Sequence, residues 1–271
     1  MANTDNEPSI FEKSVNPFGM IRRVIAVMSG KGGVGKSSVT ALLAVALHRR
    51  GLKVGILDAD VTGPSIPRLF GLSERAAHNG VALEPVPSGQ GIKVISANLL
   101  LEREDQPIVW RSPLITGMIK QFFAEVDWGD LDYLLVDLPP GTGDVPLTVM
   151  QSLPLDGLVV VTSPQQLVEM IVRKAVHMAE QMRVPLVGLV ENYSYLECPD
   201  CKQRIDLFGK SRAEQVAANF GLTLLGRLPV VPELATLADA GRIEAVPDAV
   251  PGFFEPVADR FLTALPEPSL K

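Results

Sequence analysis

The chain has 271 residues, of which 46% are hydrophobic, 21% charged and 6% aromatic. This composition excludes intrinsic disorder, collagen and repeat arrays, and the length suits a single α/β domain with a sizeable core. A formal net charge of −6, without any block of like charge, argues against nonspecific binding to nucleic acid. The sequence shows neither an apolar run of about 20 residues nor a signal-peptide pattern, so we expect a cytoplasmic protein that does not bind membranes.

Short apolar runs alternate with longer helical stretches over residues 19–265, which we expect to form one domain between a flexible arm (1–18) and a flexible tail (266–271). The runs are rich in Val, Ile and Leu with little alternation, which is typical of strands buried on both faces. The predicted strands are 24–29, 53–58, 93–98, 133–138, 158–163, 185–192 and 222–229, and the predicted helices are about 35–50, 112–126, 145–152, 166–182, 211–220, 232–240 and 252–264. We interpret residues 72–92 as a surface excursion. This order predicts a doubly wound α/β fold, a mostly parallel sheet with helices on both faces.

The first predicted strand is followed by GKGGVGKS, which matches the phosphate-binding pattern GxxxxGK followed by Ser or Thr. Glycines let successive backbone N–H groups converge on phosphate oxygens, and the start of the next helix adds a partial positive charge. Lys36 supplies a point charge for the β- and γ-phosphates, and the Ser37 hydroxyl is the expected Mg²⁺ ligand. The predicted nucleotide-binding residues of this loop are Gly30, Lys31, Gly32, Gly33, Val34, Gly35, Lys36, Ser37 and Ser38.

Aspartates stand at the ends of two later strands, where doubly wound sheets place their ligands. Asp137 ends an apolar strand and is expected to hold Mg²⁺ through water. Asp58 and Asp60 follow the second strand, and Asp60, further out on the loop, is the better candidate for orienting the attacking water. A lone aspartate at such a position also serves as a helix cap, but the phosphate loop favours the nucleotide site. Without an Asn-Lys-x-Asp motif for guanine, we expect ATP, with Asn192 a candidate for the base edge.

Cys198 and Cys201 are the two cysteines of the chain and form a C-x-x-C motif. Random placement of two cysteines would give this spacing in roughly 0.7% of cases. Such a turn directs both sulfurs to one point, whereas tetrahedral zinc or a [4Fe–4S] cluster takes four thiolates. One subunit therefore supplies half a site, which a two-fold axis would complete in a homodimer. On spacing alone an iron-sulfur cluster, zinc, a redox dithiol and an inert pair all stay open.

Eight segments occur in the order found in one known family: IAVMSGKGGVGKS, LDADVTGPSIPRLFGL, WRSP, DWGDLDYLLVDLPPGTGD, TSPQQ, VENYSY, CPDC and DAGR. Through them the chain resembles the Mrp/ApbC family of iron-sulfur cluster carrier ATPases over about residues 20–245. The resemblance implies a deviant phosphate-loop ATPase of the MinD/ParA class that forms homodimers and holds a cluster at the cysteine pair. It also implies that Lys31 reaches the partner's nucleotide, so Lys31 and Asp60 are the expected catalytic residues. The chain departs from the family pattern at Ile171, where Asp is usual, and at Ser112, where Gly is common.

Three functions compete. The first is an ATPase that receives a labile cluster from scaffold proteins and passes it to apo-proteins, with slow hydrolysis as the switch. The second is a MinD/ParA-like positioning ATPase with a structural zinc knuckle, which needs a basic face or a basic amphipathic C-terminal helix. The last 19 residues of the chain carry only Arg260 and Lys271 as cations, which disfavours this reading. A reductase or metabolic kinase leaves the cysteines unexplained, so the carrier is the favoured hypothesis.

Overall fold

A computed structural model describes residues 13–61, 63, 65–100, 112–164 and 168–266. Its strands are β1 (Val24–Ser29), β2 (Val54–Asp58), β3 (Val86–Pro87), β4 (Lys93–Ser96), β5 (Tyr133–Asp137), β6 (Gly157–Thr162), β7 (Leu186–Glu191), β8 (Leu196–Glu197), β9 (Arg204–Ile205) and β10 (Leu224–Arg227). Its α-helices are α1 (Lys36–His48), α2 (Ile66–Leu69), α3 (Ser112–Ala124), α4 (Asp144–Ser152), α5 (Val168–Met182), α6 (Ala213–Asn219), α7 (Pro232–Asp239), α8 (Val246–Ala249) and α9 (Glu255–Ala264). Short 3-10 helices lie at Ala97–Leu100 and Ile243–Ala245.

Eight of these strands form one twisted sheet in the order β10-β7-β6-β1-β5-β2-β4-β3. Every neighbouring pair is parallel except β3 and β4, which are antiparallel at one edge. Parallel neighbours require crossover connections, and helices supply them on both sides of the sheet. The remaining strands, β8 and β9, form a separate antiparallel hairpin that carries the cysteine pair.

Two apolar layers hold the helices to the sheet. Helices α3 to α6 pack on one face, and α1, α2, α7, α8 and α9 pack on the other. Alternate residues of β1 serve the two layers: Met28 points to the first and Val27 to the second. Because both faces of the central strands are buried, their sequences are continuous apolar runs. The predicted doubly wound fold is confirmed.

All seven predicted strands and all seven predicted helices are present, with ends that shift by a few residues. The segment 72–92 is not simply a surface excursion, because it contains β3, which pairs with β4 and buries Val86. Sequence reasoning also missed α2 and α8. Each is a four-residue helix with a proline in its first turn, too short to show a helical period.

Part of the predicted flexible arm lies on the domain. The Asn16 side-chain amide donates hydrogen bonds to the carbonyl oxygens of Phe123 (2.7 Å) and Val126 (2.8 Å). The Ser14 amide donates to the Ser152 carbonyl at 2.9 Å. Residues 13–18 are therefore held against α3 and α4. The rest of the predicted arm and all but Pro266 of the predicted tail lie outside the described residues, as does Trp110 of the predicted WRSP turn. No helix in the described ranges is long and apolar enough to cross a bilayer.

Candidate functional site

The loop between β1 and α1 lies at the centre of the sheet, at the carboxyl ends of the parallel strands. Gly33 (φ 79°) and Gly35 (φ 76°) adopt left-handed backbone conformations that favour glycine. A Cβ atom at Gly35 would overlap the Asn192 side-chain amide and lie 2.8 Å from the Tyr193 hydroxyl. Glycine at position 35 is therefore required both by the backbone angle and by this close approach.

A cleft of about 330 Å³ opens above the loop. It brings together most of the predicted site residues, namely Lys31, Gly32, Gly33, Val34, Gly35, Lys36, Ser37, Ser38 and Asp60. Its other walls are formed by Ser29, Gly63, Ser65, Leu69, Pro140 and Tyr193. Glycine-rich backbone, two lysines and an aspartate in one cleft form a surface suited to a nucleotide phosphate chain.

Three side chains next to this cleft make polar contacts with the Asp137 carboxylate. The Lys36 ammonium lies 2.7 Å from its Oδ2 atom, and Ser37 Oγ donates to the same oxygen at 2.6 Å. Thr40 Oγ1 donates to Oδ1 at 2.7 Å, from the helical turn that follows Lys36. Lys36 is only 6% exposed, so it serves a buried ion pair as well as facing the cleft. From the sequence, Lys36 was expected only as a phosphate ligand and Thr40 was not predicted, although a spacing of four residues places Thr40 on the same helix face.

Asp58 is fully buried beside Asp137, its direct partner in the β2–β5 register. The Asp60 amide donates to Asp58 Oδ1 at 3.1 Å, and Ser96 Oγ donates to Oδ2 at 3.2 Å. Burial, followed by the charge of Asp137, raises the pKa of the Asp58 carboxyl well above its ordinary value, and Lys36 opposes this shift.

Asp60 differs from Asp58 because it lies in the cleft wall. Its carboxylate accepts a hydrogen bond from the Gly63 amide at 3.2 Å. This bond fixes the aspartate on the loop that leads from β2 towards α2. The placement fits the predicted role in orienting water, which stays a prediction.

Asn192 follows β7 and is 2% exposed. Its Nδ2 atom donates to the Val34 carbonyl at 3.0 Å, so the amide that we expected at the base edge contacts the phosphate loop in this structure. The next residue, Tyr193, lines the cleft. Sequence reasoning did not single out Tyr193. The available signal was its position directly after a predicted parallel strand.

Ile171, one of the two positions where the chain departs from the expected family pattern, lies in α5 and packs directly against Gly30, the first residue of the phosphate loop. A Cβ atom at Gly30 would overlap the Ile171 side chain. Ser112 is the first residue of α3, and the position of its side chain lies outside the described atoms.

The cysteine pair lies on the β8–β9 hairpin and does not line the cleft. The Cys198 amide donates to the Gln203 carbonyl at 3.0 Å, and the Lys202 amide donates to the Cys198 carbonyl at 2.9 Å. Lys202 closes the turn with φ 59°. Both cysteines are free thiols, Cys198 half-buried and Cys201 exposed. This is the turn predicted from the C-x-x-C spacing.

Backbone N–H groups of Cys201 and Asp200 point at the Cys198 sulfur and, with the Cys201 side chain, lower the pKa of the Cys198 thiol. The same geometry favours the thiolate, which is the form that binds metals. Across the described ranges, no group of three or more His, Cys, Asp or Glu side chains is placed to hold a metal ion. Within that part of one protomer, the hairpin offers two sulfur ligands.

Fold and cleft together define a P-loop NTPase. A family model described as the NUBPL iron-transfer P-loop NTPase, in the ParA group, matches residues 20–257. The chain belongs to this family. An iron-sulfur cluster carrier protein of Clostridium perfringens is 49% identical over 235 residues, which are 84% of this chain and 82% of that protein. Another, from Methanocaldococcus jannaschii, is 44% identical over 223 residues, 82% of this chain and 77% of that protein.

Solved structures also resemble this chain. A nucleotide-binding protein of Archaeoglobus fulgidus in complex with ADP has a TM-score of 0.77 and 49% identity, covering 87% of this chain and 91% of that one. The cell division protein MinD of Aquifex aeolicus has a TM-score of 0.63 and 21% identity, covering 92% of this chain and 99% of that one. The likeness to MinD shows a shared fold.

Proposed function

We propose that the protein is an ATPase that carries an iron-sulfur cluster, held between two subunits, and delivers it to apo-proteins. The observation that carries this proposal is a half-site: a C-x-x-C hairpin with two free thiols in a P-loop NTPase whose relatives are named iron-sulfur cluster carriers. Four thiolates from two hairpins would make the ligand set of a [4Fe–4S] cluster. The cluster is the cargo, received from scaffold proteins. Free thiols also suit the reducing cytoplasm, where we place the protein.

ATP is the proposed substrate of the cleft. The loop glycines would donate backbone hydrogen bonds to the phosphates, and Lys36 would exchange its bond to Asp137 for the β- and γ-phosphate oxygens. Asn192 would meet the adenine edge once its amide turns from the Val34 carbonyl. The adenine role of Asn192 is the part of this arrangement that needs a side-chain movement.

Magnesium fits the oxygen ligands beside the loop. The Ser37 hydroxyl and the Asp137 carboxylate are 2.6 Å apart, and hydroxyl and carboxylate oxygens are the ligands that Mg²⁺ prefers. Ser37 would hold the ion directly and Asp137 through water. When bound, Mg²⁺ would neutralise phosphate charge.

Hydrolysis in this proposal converts ATP and water to ADP and phosphate. Asp60 in the cleft wall would orient the water for in-line attack on the γ-phosphorus as the bond to the ADP oxygen breaks. Lys31 of the partner subunit would stabilise the charge that develops on the transferred group. With a site that is complete only in the dimer, turnover is slow and serves as a switch for cluster transfer.

A positioning ATPase with a structural zinc knuckle is not favoured. The likeness to MinD, at 21% identity, extends to the fold and carries no function. Zinc itself can occupy the same four-thiolate geometry, and direct metal and sulfide analysis separates it from a cluster.

The test is cluster transfer. The reduced protein is reconstituted anaerobically with iron and sulfide, mixed with apo-aconitase, and the recovery of aconitase activity is followed with and without MgATP. We expect recovery from the wild type and none from Cys201→Ser, because that dimer loses two of four thiolates and serine is a poor ligand for iron. Bound zinc without sulfide, or recovery equal to that from free iron and sulfide, would contradict the proposal.

A further inference from the structure

A short stretch of chain connects the phosphate loop with the cysteine hairpin. Asn192 and Tyr193 contact the loop, and Cys198 follows within the same few residues. Two backbone hydrogen bonds hold this stretch in place. The Ser194 amide donates to the Leu228 carbonyl at 2.8 Å, and the Val230 amide donates to the Tyr195 carbonyl at 2.7 Å. These bonds tie the stretch between the cleft and the hairpin to the chain segment that follows β10.

Tyr193 is unusual in its backbone. Its φ of 56° lies in the left-handed region, which a bulky side chain rarely adopts. Its ring lines the cleft, and its hydroxyl approaches Gly35 so closely that a Cβ atom there would lie 2.8 Å away. Strained residues of this kind persist where surrounding contacts impose them, and they are frequent at ligand clamps and switches.

A cluster of charged side chains connects the hairpin with the sheet. The centroid of the Tyr195 ring lies 4.5 Å from Cζ of Arg204 in β9 and 6.0 Å from Cζ of Arg227 in β10. Arg227 Nε donates to Ser194 Oγ at 2.9 Å, and Ser194 Oγ donates to the fully buried Glu191 carboxylate at 2.5 Å. The hairpin is therefore held by side-chain contacts as well as by its two chain connections. Arg204 of the hairpin contacts Tyr195, which lies two residues after Tyr193.

We propose that Tyr193 is a positioning residue that transmits occupancy of the phosphate cleft to the cysteine hairpin of the same protomer. A nucleotide in the cleft meets the Tyr193 ring, which shifts Ser194 and Tyr195 and changes how Cys198 and Cys201 are presented. The inference rests on the proposed nucleotide site and names the element that connects it with the cargo site. By linkage, a ligand on the cysteines changes nucleotide affinity by the same factor.

The chain offers a direct probe, because both of its cysteines lie on this hairpin. The reaction of the metal-free, reduced protein with 5,5′-dithiobis(2-nitrobenzoate) is timed with and without saturating MgADP, and MgADP binding is measured separately by calorimetry. We expect the nucleotide to change the thiol rates of the wild type by about fivefold or more. The ratio stays constant when protein concentration changes tenfold, because the effect lies within one protomer.

Variants at Tyr193 test whether this residue connects the cleft with the cysteine hairpin. Tyr193→Phe keeps the ring and retains the nucleotide effect. Tyr193→Ala and Tyr193→Gly, each measured at MgADP concentrations that saturate its own site, lose the effect, and glycine, which adopts the left-handed backbone without strain, controls for misfolding of the alanine variant. The inference is overturned if the wild type binds MgADP with unchanged thiol rates, if the ratio depends on protein concentration, or if both ring-deleted variants keep the full effect. Failure of the wild-type protein to bind MgADP at all would instead overturn the proposed nucleotide function.

Discussion

Lys36 and Asp137, two residues of the proposed phosphate site, also form a buried ion pair within the fold. The ammonium and the carboxylate are 2.7 Å apart and both are buried. Removal of one partner from a buried pair leaves an uncompensated charge, which costs far more than the loss of a surface ion pair. Ser37 and Thr40 still donate to Asp137, so part of its charge stays compensated when Lys36 is removed.

Replacement of Lys36 by alanine is therefore expected to destabilise the protein before any nucleotide is added. We predict a loss of about 3 kcal/mol, which lowers the melting temperature by roughly 6–12 °C. MgATP at 100 times its dissociation constant stabilises the wild type by about 2.7 kcal/mol, or roughly 5–10 °C, and the variant not at all. Lys31→Ala, on the same loop but outside this pair, should keep the MgATP shift. Thermal unfolding followed by fluorescence checks both effects, and an equal MgATP shift in Lys36→Ala would refute the assignment.

Asp58 makes stability depend on pH with a definite sign. Its pKa is raised in the folded protein, so the folded state keeps a proton that the unfolded state releases. The contribution of Asp58 to stability is therefore full below about pH 4 and is lost as pH rises through the raised pKa, by at most about 1.4 kcal/mol per pH unit. Asn at this position holds no titratable proton, and the Ser96 hydroxyl can accept from its amide.

Asp58→Asn is accordingly expected to gain stability relative to the wild type as the pH rises. Urea unfolding of both proteins between pH 4.5 and 8 gives the difference in free energy of unfolding, in which the carboxylates that do not interact with Asp58 cancel. The difference should grow with pH and then level off. Parallel curves over this range would mean that Asp58 titrates normally.

At the scale of the element, the phosphate loop supplies a matched pair of glycines. Gly35 has φ 76° and abuts the Asn192 amide, whereas a Cβ atom at Gly32 would meet no heavy atom within 4 Å. In Gly35→Ala, an alanine in the left-handed backbone conformation destabilises the folded state by about 1–2 kcal/mol. The added methyl group also displaces the Asn192 side chain. We predict a melting temperature lowered by several degrees and lost nucleotide binding for Gly35→Ala, and a near wild-type melting temperature for Gly32→Ala. Equal melting temperatures would show that the loop relaxes without hindrance.

The long elements could be predicted because their signals are contiguous. A central parallel strand such as β6 is a run of buried residues, and a helix such as α5 repeats its apolar positions every turn. The two-residue strands β3, β8 and β9 contain too few residues for a pattern. They form where the surrounding fold presents a partner strand, as β4 does for β3.

The residues of the site also fall into two groups, those with a local sequence signal and those without one. The loop residues from Gly30 to Ser38 are neighbours in sequence and could be recognised together. Tyr193 reaches the cleft only because β7 ends beside the phosphate loop, and the side-chain bond from Asn16 to α3 follows from packing. Contacts between residues over a hundred positions apart have no local signature, so the sequence left them undetermined.

At the scale of the whole molecule, the proposed catalytic site is shared between subunits, and mixing can reveal it. Lys31→Ala and Asp60→Asn should each bind ATP and hydrolyse it slowly. In a mixed dimer, one cleft pairs an intact Asp60 with the intact Lys31 of the other subunit. An equal mixture forms mixed dimers half the time, so its turnover should rise to about a quarter of the wild-type rate. Turnover equal to the mean of the two parents would contradict a shared site.

The central claim, that two chains share one cluster, is tested most directly by stoichiometry. Iron, sulfide and zinc are measured on the anaerobically reconstituted protein, together with its mass in native mass spectrometry. We predict about four irons and four sulfides per two chains, with a dimer fraction that rises with cluster content. Four irons on a single chain, or metal bound by a monomer, would contradict the shared site, and one zinc without sulfide per dimer would replace the carrier by a structural knuckle.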